Sequence, residues 1–232
     1  MRSAHLGDAP NVTALVAGTV HELRNPVFAL GATVDALEQR LGATSEVAAH
    51  LSALRNELER ILCLARELGE LVTPVGPRVP TPINELVSRV IAGFAAAAQP
   101  QQTPIVLRAV AAGLVDADAP RLEAALGRLV GLALCRTPAG GTVEVAIDRP
   151  AAADTPSVQI SVRDVGPLLE PRALRDALVP FGLRRAGKLT LDVAIANALV
   201  QAHGGNMTVA NGEHQGLRFT IELPSAASSA VS

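Results

Sequence analysis

The chain has 232 residues, of which 49% are hydrophobic and 18% charged, and its net charge is −2. That apolar fraction supports a packed core in one large or two small domains and excludes a disordered chain. The near-neutral balance, with no basic block, argues against a nucleic-acid partner, whose phosphates need clustered Lys and Arg, and no apolar run approaches the roughly 20 residues of a membrane span. Residues 1–10 lack the charged-then-apolar order of a signal peptide, so the expected location is cytoplasmic, with no further domain expected ahead of the first helix. Cys63 and Cys135 are the only cysteines. Both fall in helical apolar patterns and are expected to be buried, reduced thiols.

A helix is predicted to start near Asn11, with Asn11 or Thr13 as its cap. Val16, Val20, Leu23, Val27, Leu30, Val34, Leu37 and Leu41 follow at alternating spacings of four and three, the pattern of a coiled-coil or bundle seam. Residues 42–45 break it. A second helix carries Leu51, Leu54, Leu58, Ile61, Ala65, Leu68 and Val72 at the same spacings. Two such helices on a short turn make a hairpin. One hairpin cannot bury both stripes, whereas two can as a four-helix bundle, so residues 10–72 are predicted to form a homodimer.

Residues 73–82 hold Pro74, Gly76, Pro77, Pro80 and Pro82, and read as a linker because proline lacks the backbone donor and disfavours helix before it. From Ile83 the pattern is mixed. Helix is predicted over 83–98, strands over 105–110 and 114–117, and a helix apolar nearly all round, hence deeply buried, over 122–134. After the turn at Gly140-Gly141, strands follow over 142–147 and 158–162, then a loop-rich stretch to about 188. A helix over 189–202 closes on His203-Gly204-Gly205 as a glycine cap, and strands over 207–210 and 217–223 pair around Asn211-Gly212. Residues 225–232 are small and polar, a frayed tail. The fold class is therefore α+β: a helical hairpin followed by an α/β domain over 83–224.

The first helix contains His21-Glu22-Leu23-Arg24-Asn25-Pro26. His21 lies beside the seam and points outward, and Asn25 is one turn further on the same face. A lone exposed histidine is ordinarily plain surface. Here a carboxylate follows at once, and a mid-helix proline, which disfavours helix by about 3 kcal/mol and is expected to kink it, calls for a reason. The run resembles the H-box of two-component histidine kinases, whose histidine carries a phosphoryl group. That chemistry needs a neutral imidazole nitrogen as nucleophile. Glu22 can hold the proton of the other nitrogen and fix the tautomer, and Asn25 can orient a water or an acyl phosphate. The Glu-x-x-Asn spacing also implies, by resemblance, phosphatase work toward a response regulator. Arg24 fits either a phosphate contact or a solvated surface, and Leu15, Phe28 and Ala29 are candidate apolar contacts for a docking partner.

Residues 83–224 resemble the catalytic ATP-binding domain of histidine kinases, an α/β sandwich shared with other GHKL ATPases. The resemblance rests on Thr137-Pro138-Ala139-Gly140-Gly141-Thr142-Val143, Val162-Arg163-Asp164-Val165-Gly166-Pro167 and Gln201-Ala202-His203-Gly204-Gly205, in that order. It implies an adenine-binding role for Asp164, which is kept together with Gly166 as the vestige of a nucleotide site. The asparagine that ligates Mg²⁺ in the family is Leu132 here, which offers no oxygen. An earlier family asparagine aligns with Arg128, and one positive charge survives near Cys135 and Arg136. Leu168 replaces a glycine, and Thr190 and Asp192 stand where the second glycine box needs glycines for close phosphate approach. Asp192 is expected to add negative charge where a polyphosphate would sit. Lys188 reads as surface, and His203 as a helix C-terminal residue meeting the last carbonyls.

The expected function is thus a histidine phosphotransferase of a phosphorelay, a pseudokinase without metal or cofactor of its own. It would accept and donate a phosphoryl group on His21 from and to receiver-domain aspartates of response regulators, with Mg²⁺ supplied by the receiver's acidic pocket. One alternative is a soluble histidine kinase that autophosphorylates His21 with Mg-ATP. Another is a response-regulator phosphatase or scaffold that uses Glu22 and Asn25.

Overall fold

A computed structural model describes residues 12–41, 45–109, 113–149, 156–185 and 188–226. They divide into two compact units, Met1–Thr73 and Pro74–Ser232.

The first unit is a hairpin of α1 (Val12–Leu41) and α2 (Ser45–Val72). Asn11 lies outside the described residues, and Thr13 falls inside α1 rather than capping it. The helix runs on through Pro26. Within the hairpin the apolar repeat splits in two. Val20, Val27 and Val34, seven residues apart, are 8%, 6% and 7% exposed, whereas Leu23, Leu30 and Leu37 are 42%, 54% and 40% exposed. On α2, Leu51 and Ala65 are buried while Leu54 and Ile61 stay open. One set closes the hairpin and the other leaves an unpartnered stripe. Arg55 of α2 ties the helices further, reaching Glu38 Oε2 at 2.7 Å and Asp35 Oδ1 at 2.6 Å of α1. These acceptors, Glu38 first, hold its guanidinium protonated beyond its ordinary range.

In the second unit a five-stranded sheet has the order β2 (Ile105–Ala109), β4 (Val143–Asp148), β5 (Ser157–Arg163), β9 (Leu217–Pro224), β8 (Asn206–Asn211). Only β2 and β4 run parallel. Strict alternation sends Val143, Val145, Ile147, Val158, Ile160, Val162, Phe219 and Ile221 to one buried face. Over that side lie α3 (Ile83–Gly93), α5 (Ala119–Arg136) and α7 (Asp192–Ala202). Leu122, Leu126, Leu129 and Leu132 of α5 are fully buried, and each such side chain contributes roughly 1.5–3 kcal/mol. A short α4 (Ala95–Ala98) follows α3, and α6 (Pro171–Arg175) sits in the connection after β5.

Three features depart from the sequence expectation. Residues 79–82 form β1 (Val79–Pro82), paired antiparallel with β3 (Leu114–Ala117). Its prolines are tolerated because β1 is an edge with one partner strand. The supposed loop before residue 188 contains α6 and a hairpin of β6 (Leu183–Arg185) and β7 (Lys188–Thr190), so α7 starts at Asp192, three residues later than its apolar pattern suggests. Both cysteines are exposed rather than buried. Cys63 stands two residues before the inward Ala65, which on a helix is the opposite side, and Cys135 is the next-to-last residue of α5, past its buried run.

Candidate functional site

The hairpin presents His21, Glu22 and Asn25 together on the solvent side of α1, all three exposed. Val20, immediately before His21, is one of the buried seam valines, so the packing of the hairpin sets which way the histidine faces. Phe28 and Ala29 are exposed just beyond it. The side chain of Leu15 lies outside the described residues.

In the second unit, Asp118 caps α5 by accepting from Arg121 N at 3.3 Å, and Pro120 follows in the first turn. That cap fixes the helix that carries Arg128, Leu132 and Arg136. Leu132 is fully buried in the core; the position offers no oxygen and faces no open site. Arg128 Nη1 instead meets Asp192 Oδ1 at 3.0 Å, with both side chains largely buried. The charge of Asp192 is therefore compensated from within the chain. This corrects the expectation of an open repulsive carboxylate: the arginine at one altered box neutralises the aspartate at the other. The side chains of Lys188 and Thr190 lie outside the described residues.

Asp164 is 0% exposed. Its Oδ2 accepts from Arg136 Nε at 2.9 Å, and its Oδ1 accepts from Gly166 N at 2.8 Å and Leu217 N at 3.2 Å. Arg136 also donates to the Pro167 carbonyl at 2.5 Å. The carboxylate thus stitches the end of β5 to the start of β9 and to the C-terminus of α5. Gly166 is needed for the same knot, because a Cβ there would stand 2.5 Å from the Arg136 carbonyl oxygen. His203 is buried at the C-cap of α7, where Gly204 turns the chain at φ +77°. Its Nδ1 lies 2.7 Å from the Leu199 carbonyl, and its Nε2 accepts from Asp118 N at 3.1 Å. Those partners call for the tautomer with the proton on Nδ1, and the residue meets a late helix carbonyl as its position suggests.

The sequence marks Arg128, Arg136, Asp164, Asp192 and His203 but neither pairing, and nothing in it singles out Asp118, which caps α5 and meets His203. Arg136 and Asp164 are 28 positions apart, and Arg128 and Asp192 are 64 apart. A usable signal was present in the second case: two neutral family positions in boxes that face one site had changed to opposite charges.

Residues 117–227 match the family model described as histidine kinase-, DNA gyrase B-, and HSP90-like ATPase. The chain is 28% identical over 214 residues to the sensor histidine kinase ZraS of Escherichia coli O157:H7, covering 90% of this chain and 45% of ZraS. Full-length ShkA, solved in complex with AMPPNP, superposes with a TM-score of 0.74 at 25% identity, covering 94% of this chain and 47% of ShkA. The histidine kinase AdeS of Acinetobacter baumannii shares the fold with a TM-score of 0.62 at 18% identity, over 89% of this chain and 98% of AdeS. The chain spans less than half the length of ZraS and of ShkA. No helix among the described residues is long and apolar enough to cross a membrane. By its domain match and its relatives, the chain is histidine kinase-like, and residues 117–227 of its second unit carry the GHKL-type ATPase domain.

Proposed function

We propose that this chain is a histidine phosphotransferase: a homodimer that accepts a phosphoryl group on His21 from one response regulator's receiver domain and passes it to another, without binding ATP. The observation that carries this reading is the engaged state of Asp164. The carboxylate expected to read adenine has no exposed surface and is already held by Arg136, Gly166 and Leu217. The residues present do not fit a Mg-ATP site as they stand. A buried leucine occupies the metal-ligand position, and Arg128 is paired with Asp192 where phosphates would be met. Breaking one buried ion pair to admit a nucleotide costs roughly 3–5 kcal/mol, or about two to four powers of ten in affinity.

The exposed triad on α1 supports the transfer step. An unprotonated nitrogen of His21 attacks phosphorus of the receiver's aspartyl phosphate. The N–P bond forms as the P–O bond to the aspartate breaks, and the carboxylate leaves with the electron pair. Glu22 holds the proton on the other ring nitrogen, and Asn25 orients the incoming group. The open stripe of Leu23, Leu30 and Leu37 supports dimerisation through a second hairpin.

A second reading, an autophosphorylating kinase, is favoured by the likeness to ShkA, which was solved with AMPPNP. Calorimetric titration of the full chain with Mg-ATP separates the two. No heat of binding at millimolar nucleotide, together with labelling of wild type but not His21→Ala by a phosphorylated receiver, is the expected result. Micromolar binding with ATP-dependent labelling of His21 would overturn the phosphotransferase reading. Receiver dephosphorylation that persists in His21→Ala would point instead to a phosphatase acting through Glu22 and Asn25.

A further inference from the structure

The outer face of the five-stranded sheet carries its own polar arrangement. Arg163 of β5 and Arg218 of β9 are directly opposed partners on that face, so two guanidinium stems leave the sheet side by side. Like charges so placed repel one another. The acid on the other side of Arg163 is Glu144, but Glu144 is taken by Arg108, Nε to Oε1 at 3.0 Å. Arg163 Nε is buried with no acceptor, and among the described residues no ion pair engages Arg218. A buried donor without an acceptor is uncommon in folded proteins and calls for a partner from outside the chain.

Two residues along the same face, Ser161 and Thr220 are also opposed partners. All four side chains line one hollow of about 490 Å³. Both arginines also line an adjoining hollow of about 200 Å³, where Glu213 stands without pairing to either. Asp148, at the far end of the larger hollow, is four residues along β4 from Glu144, about 13–14 Å away at the rise of a strand.

We propose that Arg163 and Arg218, with the hydroxyls of Ser161 and Thr220, form a binding site for a phosphate dianion on the outer sheet face. A carboxylate has two oxygens and satisfies one guanidinium fork. A phosphate dianion presents three terminal oxygens, enough for two forks and a hydroxyl at once. The hollow is larger than a bare phosphate and accommodates a small monoester. The site stands on this sheet alone and is independent of the role of His21.

The test is ³¹P line broadening of inorganic phosphate titrated with the full chain, at ionic strength held constant with sodium chloride. Saturable binding is expected, weakened about tenfold or more in Arg163→Gln and in Arg218→Gln and unchanged in Arg175→Gln, an exposed arginine on α6. The thermal midpoint of phosphate-free Arg218→Gln should equal or exceed that of wild type, because one of two opposed charges is gone. The proposal is overturned by an absence of saturable broadening, by binding that survives both substitutions, by equal competition from acetate, or by a fall of several degrees in the phosphate-free midpoint.

Discussion

Asp164 is the residue on which the second unit's chemistry turns, and its environment makes a sharp prediction. With no exposed surface and Arg136 as its one charged partner among the described residues, Asp164 is left as a bare carboxylate in the core when the arginine is removed. Arg136→Ala should therefore destabilise the unit by about 3 kcal/mol or more, a drop of roughly 6–12 °C in midpoint by calorimetry or circular dichroism. Adding Asp164→Asn should recover part of that loss, since no charge is then left alone; strictly additive losses would show that the two are uncoupled. Leu132 argues in the same direction. Restoring the family's asparagine by Leu132→Asn places an amide in a fully buried apolar position, at about 2–4 kcal/mol. That variant should melt earlier and still show no heat with Mg-ATP.

Among the elements, α1 and α2 were the most legible, because a seven-residue repeat carried over the length of both helices has only one physical reading. What the repeat could not say is which half of the stripe closes the hairpin. The structure assigns Val20, Val27 and Val34 to the hairpin and leaves Leu23, Leu30 and Leu37 open. In the proposed homodimer, Leu30→Asp should therefore halve the mass seen in sedimentation velocity while leaving helix content intact, whereas Val27→Asp should melt the hairpin itself. Unchanged mass in Leu30→Asp would remove the open stripe as the dimer contact. Arg55 offers a contrast: its pairs with Glu38 and Asp35 are exposed, so they are screened by salt and contribute little to stability. The less legible elements failed for identifiable reasons. β1 is Val-Pro-Thr-Pro, which reads as a linker until its partner β3 is in view. β7 is three residues long and opens directly toward α7, so Leu189 and Leu191 joined the helical pattern. No side chain caps α7 to mark its start.

For the molecule as a whole, the boundary between the units falls at Thr73 and Pro74, ahead of the proline-rich stretch rather than after it. Gly76 N donates to Asp118 Oδ2 at 2.7 Å, Arg78 donates to the Ala202 carbonyl, and β1 pairs with β3. Residues 74–82 are thus part of the second unit. A fragment starting at Pro74 should unfold as cooperatively as the unit does in the full chain. One starting at Ile83 loses a strand and the partner of Asp118 and should melt several degrees lower. Equal midpoints would mean that the stretch only decorates the surface. The broad architecture was readable from periodicity and turn residues. The two ion pairs that fill the expected nucleotide positions were not, since they join residues far apart in sequence and only the fold brings them together.

The Arg128–Asp192 pair also bears on how freely this site can change over generations. Replacing either residue by a neutral one breaks a pair whose side chains are 16% and 4% exposed, a loss on the order of 1–3 kcal/mol against a total stability that in most domains is about 5–15 kcal/mol. An asparagine regained at residue 128 or a glycine regained at residue 192 is therefore penalised before it confers anything. The two positions change at least cost together, so every single-step route across this pair runs through a less stable chain.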